Sequence, residues 1–348
     1  MAKIIAFLKS CVATPFNGML TLLILAPLVW VLPELVKWSL VDAVWSGTSS
    51  RACEGHDAAC WVFIRLRFDQ ILYGPYPAAE RWRIDVVAAL TLCAVALLMI
   101  PRRKSTGLAL LCLLPFITAP LLAGGFAGLK SVPTVDWGGL MLNILIAAWT
   151  IATAIPLGLV LALGRRSQMP VVAYACATFI ELWRSLPLIG VLFMAVVMFP
   201  LFVPPGFESD KLMRALIAFT LFNAAIFAEV FRGGLQAIPA GQSEAARSLG
   251  LGYWRTTALI VLPQVVRIVS PGIVNVCVSV IKETTVVLVI GLAELLAVLQ
   301  IAFADPEWLI GDQVRGTGYL FAALVFWSLC FALSRYSQHL RRQRSAEA

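Results

Sequence analysis

Few residues in this chain could do chemistry, and most of those lie inside apolar runs. Lys282 and Glu283 are adjacent charges midway through the apolar stretch 265–292. Neighbours on a helix point about 100° apart, so these two need different partners. A charge at membrane depth costs about 3 kcal/mol or more, so each marks either the lining of a path for a polar solute or an ion pair between helices. Thr284 follows them, and Asn143 sits in another apolar run. Asn143 suits a hydrogen bond across helices or a place on a polar path. Glu181 and Arg184 repeat a pattern seen again in Glu229 and Arg232: an acid and an arginine three residues apart. On a helix such residues face the same way and can pair, and all four are read as structural ion-pair candidates. Enzyme chemistry is not signalled. The two histidines, His56 and His339, fall in predicted loops. The sequence has no Gly-x-x-x-x-Gly-Lys-Ser/Thr phosphate loop, no Gly-x-Ser-x-Gly and no His-Glu-x-x-His. The chain is therefore read as no enzyme, with no metal or cofactor of its own and no P-loop for ATP.

The elements that must position these residues are membrane helices. The chain has 348 residues, 60% hydrophobic and 13% charged, with mean hydropathy +0.89. A soluble domain carries about 25% charge. Apolar runs long enough to cross a bilayer lie near 17–40, 84–101, 106–126, 139–163, 172–202, 212–231, 265–292 and 317–335, which predicts an all-α bundle of about eight spans. The first run begins like a signal peptide, with Lys3 and Lys9 before 19–32. Glu34 and Lys37 follow it rather than a cleavage site, so a retained span is the reading and cleavage the alternative.

The net charge of +8 does not point to nucleic acid, because the basic residues are sorted by loop and not gathered on one face. With the N-terminus in the cytoplasm, Lys3, Lys9, Arg102, Arg103, Lys104, Arg165, Arg166, Arg232, Arg247, Arg255, Arg267, Arg335, Arg341, Arg342 and Arg344 fall inside, against Glu229, Glu244 and Glu347. That is the positive-inside bias, and it predicts both termini in the cytoplasm. The long loop 41–83 is then outside. It holds Cys53 and Cys60, where a disulfide is expected in an oxidising compartment; zinc on Cys53, His56 and Cys60 is the alternative, one ligand short. Trp82 is expected at headgroup level.

One loop is patterned. Residues 241–263 form a polar island between apolar runs. Glu244, Ala245 and Ala246 suit a helix face that another protein can approach closely. Gly250 permits a turn that a Cβ would resist. Pro263 is expected to start the next span, where its missing N–H is no loss. The order is helix, turn, helix.

This spacing resembles the cytoplasmic signature of the permeases of ABC importers: Glu-Ala-Ala, three residues, Gly, nine residues, Ile, one residue, Leu-Pro. Glu244, Ala245, Ala246, Gly250, Ile260, Leu262 and Pro263 match it. The flanks Ala228–Gly234, Gly241-Gln242, Lys282–Thr285 and Glu181–Leu188 are similar to the polar amino-acid uptake branch, and the extended chain to general L-amino-acid permease subunits. Lys282-Glu-Thr-Thr departs from the more usual Lys-Asp-Thr-Ser. The resemblance covers 139–335, a five-span core. Residues 1–138 are then an N-terminal extension with three spans, and 336–348 a basic cytoplasmic tail. The resemblance implies a multi-pass protein of the bacterial inner membrane that forms the translocation path. It implies a dimer of separate ATPase subunits, which bind the ATP, docking on 241–263. It also implies a second permease subunit, giving a heterodimer, and a periplasmic amino-acid-binding protein that loop 41–83 is expected to touch. Lys282, Glu283, Thr284 and Asn143 become candidates for the path through the lipid. A gradient-driven carrier and a non-transporting membrane scaffold are the rivals; both leave the patterned loop unexplained.

Overall fold

The computed structural model describes residues 13–100, 103–204, 206 and 209–345. The calculated topology residues Lys3, Lys9, Arg102 and Glu347 lie outside the described residues, as do the side chains of Lys104, His339, Arg341, Arg342 and Arg344. Among the described residues the chain is helical, with two isolated bridges and no named strand.

The first span is α1 (Pro15–Val36), continued by a π-turn Lys37–Val41. Thr14 caps it by accepting from Asn17 N at 3.1 Å, and Pro15 opens it at a position that needs no N–H. None of its residues is buried in this chain. Short helices α2 (Trp61–Leu66) and α3 (Phe68–Tyr73) follow, then α4 (Trp82–Met99) and α5 (Lys104–Ala123). The remaining helices are α6 (Gly139–Arg165), α7 (Pro170–Ser185), α8 (Leu188–Phe193), α9 (Lys211–Gln236), α10 (Ala240–Ser248), α11 (Tyr253–Thr256), α12 (Leu262–Glu283), α13 (Leu295–Phe303) and α14 (Asp312–Ser345).

Among the described residues six helices are long and apolar enough to cross a membrane: Pro15–Val41, Ser105–Ala123, Gly139–Arg165, Lys211–Gln236, Tyr253–Ile290 and Asp312–Tyr336. The expected span 172–202 is not one continuous helix. It is a pair, Pro170–Ser185 and Leu188–Leu201, bent by 101°. Leu186 sits at φ −94°, ψ 144° before Pro187, because the proline ring drives the preceding residue out of the helical region. Counting the pair as one span gives seven. The expected span 84–101 falls on α4, which is not among them.

The chain divides into two compact units. One comprises the residues up to Phe68 together with Ile301–Phe321. Here the expected outside loop is folded. Cys53 and Cys60 are joined by a disulfide with Cα atoms 5.9 Å apart, and Cys60 N–H donates to Thr317 Oγ1 at 2.8 Å. Phe63 packs against Phe303 and Trp308, and Arg67 pairs with Asp305. Among the described residues no cluster of His, Cys, Asp and Glu could hold a metal.

The other unit comprises Asp69–Gln300 and the chain from Ala322 on. Its core has two buried clusters. The first joins Tyr76, Leu122 and Trp137 to Leu142, Leu216 and Ile290. The second lies between α6, α9 and α12. Small residues let α6 and α9 touch: Ala154, Gly158 and Ala162 face Ala224 and Ala228 one turn apart. A Cβ on Gly158 would meet Phe227 Cβ at 2.7 Å and Ala224 O at 2.8 Å. In lipid, where apolar burial gives no drive between helices, such close backbone contact supplies the attraction.

Candidate functional site

Three residues after α9, the polar island begins as α10. The helix stops in a Schellman turn: Leu251 N–H bonds Ala246 O at 3.1 Å and Gly250 N–H bonds Arg247 O at 2.9 Å. Gly250 takes φ +78°, a left-handed conformation that costs a residue with a Cβ about 1–2 kcal/mol. Ala246 is buried, while Glu244 and Ala245 are exposed. The Glu244 carboxylate makes no ion pair with any described residue. In and past the turn, Leu249, Tyr253 and Trp254 are 80%, 58% and 73% exposed. The element thus presents one free carboxylate and three large apolar side chains on a short, rigid helix–turn–helix.

Pro263 stands in the first turn of α12, where no N–H is needed, but α12 continues a longer span. The helix carrying the next span starts ten residues earlier, at Tyr253. A π-turn, Thr257–Val261, precedes Leu262. Leu262 N–H bonds Thr257 O there, and the widened turn makes room for a ring that has no N–H to donate. Ile260 and Leu262 are half-buried along this stretch, and Gln264 Nε2 ties it back to Gln242 Oε1 at 3.3 Å.

The four ion-pair candidates meet near this end of the helices, with one change. Glu229 and Arg232 pair at 2.6 Å, as the spacing predicts. Glu181 and Arg184 do not pair with each other. Glu181 Oε1 accepts from Arg165 at 3.0 Å, and Arg184 lies 3.6 Å from Glu229. Arg165 also reaches Glu229 Oε1 at 3.0 Å. Three guanidinium groups from α6, α7 and α9 therefore converge on one carboxylate. Glu229 is 16% exposed, and burying such a charge offsets much of what its three partners contribute, so what the network fixes is geometry more than stability.

The path candidates separate. Glu283 is half-buried, with Asn223 Nδ2 at 3.5 Å. Lys282, pointing elsewhere, is exposed on an open groove of about 410 Å³ between α12 and α14, beside Trp327, Cys330 and Phe331. Both sit where α12 gives way to a 3₁₀ segment, Thr284–Ile290, and not midway through a regular helix. Asn143 and Thr284 are 3% and 0% exposed. Asn143 Nδ2 donates to Thr284 Oγ1 and to Glu294 Oε2, each at 3.0 Å, and its Oδ1 accepts from Leu295 N at 3.0 Å. Glu294 is fully buried and also accepts from Ala297 N. The clasp and the Arg165 network lie at opposite ends of α6, about 33 Å apart along its axis, close to the thickness of a bilayer's hydrocarbon core.

Three residues of these sites were not legible from the sequence reading. Arg165 was read as a topology charge only, because its partners lie on other helices. Glu294, a lone acid in an apolar run, would have been marked by the membrane-charge argument had the span been carried past 292. Asn223, fully buried with an Oδ1 that accepts nothing, sits in an ordinary-looking helix and gave no signal.

A bundle of helices long and apolar enough to cross a membrane, with a polar helix–turn–helix between two of them, defines a multi-pass membrane protein. The family model for "binding-protein-dependent transport system inner membrane component" matches residues 154–345, and the chain belongs to that family. It is a multi-pass membrane permease subunit, a transport component and not an enzyme. It is 46% identical to the inner membrane amino-acid ABC transporter permease protein YhdY of Escherichia coli K12, over 91% of this chain and 86% of that one. It is 34% identical to the glutamate/glutamine/aspartate/asparagine transport system permease protein BztC of Rhodobacter capsulatus, over 94% and 91%. The crystal structure of an amino acid ABC transporter with histidines shares its fold, with TM-score 0.52 and 24% identity over 59% of this chain and 92% of that one.

Proposed function

We propose that this chain carries amino acids inward as one half of a permease heterodimer in the bacterial inner membrane. ATP is bound and hydrolysed by a dimer of separate ATPase subunits, which dock on 241–263 through Glu244, Ala245, Ala246, Gly250, Ile260, Leu262 and Pro263. The observation that carries the reading is the exposed α10–α11 element, with an unpaired Glu244 and uncovered Leu249 and Trp254. Amino-acid cargo is supported by the names of the relatives at 46% and 34% identity. Both termini lie in the cytoplasm, with α4 as an eighth span and lipid around the bundle. The permease core is 139–335, residues 1–138 are an N-terminal extension, and 336–348 is a cytoplasmic tail. A periplasmic binding protein delivers the amino acid and touches 41–83. ATP binding draws the docking loops together, and the spans rock from inward-open to outward-open. Glu283, with Asn223 beside it, meets the cargo's ammonium group, and Lys282 serves the path from the separate groove between α12 and α14. Asn143 and Thr284 shape the path from behind it, since both are buried.

The test is purification of the tagged chain in mild detergent with mass spectrometry of what accompanies it. A P-loop ATPase should be recovered, and be lost with Glu244→Lys or Gly250→Asp. A second permease in the same eluate supports the heterodimer. A chain without partners that moves amino acids in vesicles without ATP would overturn the reading.

A further inference from the structure

The helix α7 does not run back along α6. Val172 and Cys176 lie against Gly164, where an added Cβ would be 3.7 Å from Val172 Cγ1 and 2.5 Å from Cys176 Sγ. Further along, Glu181 meets Arg165 and Arg184 meets Glu229. From Val172 to Arg184 is about 18 Å of helix. Over that length its partners stay at one level, because Arg165 and Glu229 are themselves paired. So α7 lies across the ends of α6 and α9. Ile180 is its one buried residue and joins the cluster between α6, α9 and α12, while Val171, Tyr174 and Leu182 are exposed. Its far end is the 101° elbow at Leu186 and Pro187, beyond which α8 turns away. Its near end packs on Gly164, and the end that leads into the elbow is tied ionically, through Glu181 to Arg165 and Arg184 to Glu229.

The elements on either side make this attachment a joint. α9 passes into the docking helix α10 through three residues, and Glu229 is two turns before the end of α9. By contrast, α6 and α9 are fixed to each other by the small-residue contact at Gly158. A displacement of α10 therefore moves α6 and α9 together, and reaches α7 and its elbow through the Glu229 carboxylate.

We propose that Glu229 is a positioning residue of the transport cycle: the joint that passes motion of the docking element to the elbow helix α7. This rests on the reading of 241–263 as the ATPase docking loop. Without the carboxylate three guanidinium groups face one another across α6, α7 and α9, with only the exposed Glu181 between them. The joint then opens, while the docking surface itself is untouched.

The experiment uses the assembled transporter with its ATPase and binding protein in proteoliposomes. ATP hydrolysis and uptake of a mixture of radiolabelled amino acids are measured on the same sample. Glu229→Gln should keep hydrolysis and lose import, raising ATP consumed per amino acid by about 2- to 30-fold, the range of long-range coupling effects. Glu229→Asp should restore part of the coupling. A purely structural role lowers both rates together and leaves their ratio fixed, and that result overturns the proposal. Should Glu229→Gln not assemble, Arg184→Gln combined with Glu181→Gln decides, since together they cut both ionic links to α7 and leave Arg165 and Arg232 on Glu229: a raised ratio supports the joint and an unchanged one overturns it. If Glu244→Lys leaves ATPase docking intact, the functional reading fails instead, and that outcome is told apart by its own pull-down.

Discussion

The clasp on Asn143 makes the sharpest prediction, because it separates a path-lining residue from one that holds helices together. Asn143→Ala removes three hydrogen bonds: two donated to Thr284 and Glu294 and one accepted from Leu295 N. In a dry interior, neutral bonds are worth about 1 kcal/mol each and one to a charged group about 2 kcal/mol, so the upper figure is about 4 kcal/mol. Side-chain bonds between membrane helices average nearer 0.6 kcal/mol, which pulls the lower figure to about 2 kcal/mol. The orphaned groups set the floor. Leu295 N–H and Glu294 Oε2 are buried where water does not reach, although Glu294 keeps its bond from Ala297 N. At roughly 1.4 °C per kcal/mol for a chain of 348 residues, thermal unfolding in detergent should fall by at least about 3 °C. Glu294→Gln, which keeps the shape and the acceptor oxygen, should fall by less. A shift under about 1 °C with transport abolished would refute the clasp and return Asn143 to the path.

Gly158→Leu should prevent α6 and α9 from closing, since its Cβ already meets Phe227 and Ala224 inside van der Waals distance; overpacking of about 1–3 kcal/mol or more should appear as low yield of folded protein on size-exclusion chromatography. Reduction or Cys53→Ser releases a loop of sequence separation 7, worth about 2–3 kcal/mol of chain entropy, and should make the segment around Cys53 and Cys60 the first site of protease cleavage in sealed, right-side-out cells. Tyr73 donates to Asp85 Oδ1 at 2.6 Å, and that bond, with burial and the Asp85 charge, pushes the phenol up to about 12. The unfolded tyrosine ionises near 10.0, so this bond's stabilisation is complete below that pH and is lost as pH rises towards 12. Ultraviolet titration of Asp85→Asn should show one tyrosine ionising earlier than in the unsubstituted protein; identical curves would refute the assignment.

The helical membrane class was legible because it follows from composition. So many apolar residues, with charges confined to short intervals, leave helices as the form that satisfies every backbone group in lipid. The docking element was legible for a local reason. Glu244, Gly250 and Pro263 act within one short stretch of chain, and a left-handed glycine ends a helix wherever it stands. The bent pair at 172–202 was half legible: Pro187 is visible, but a proline in an apolar run can kink a helix or break it, and sequence does not choose. The Glu181 and Arg184 spacing misled for a related reason. A favourable i,i+3 pair in an isolated helix loses to better partners when other helices supply them.

By itself, then, the sequence determined what depends on composition and on neighbours along the chain: the membrane bundle, the bias of charge between loops, and the helix–turn–helix that Gly250 permits. The tertiary structure alone decided which charges meet. Arg165 and Glu229 are 64 residues apart, and Asn143 and Glu294 are 151 apart, yet each pair lies at 3.0 Å. Residues so distant come together only when small residues such as Gly158 let helices close, and no local pattern encodes which faces will touch.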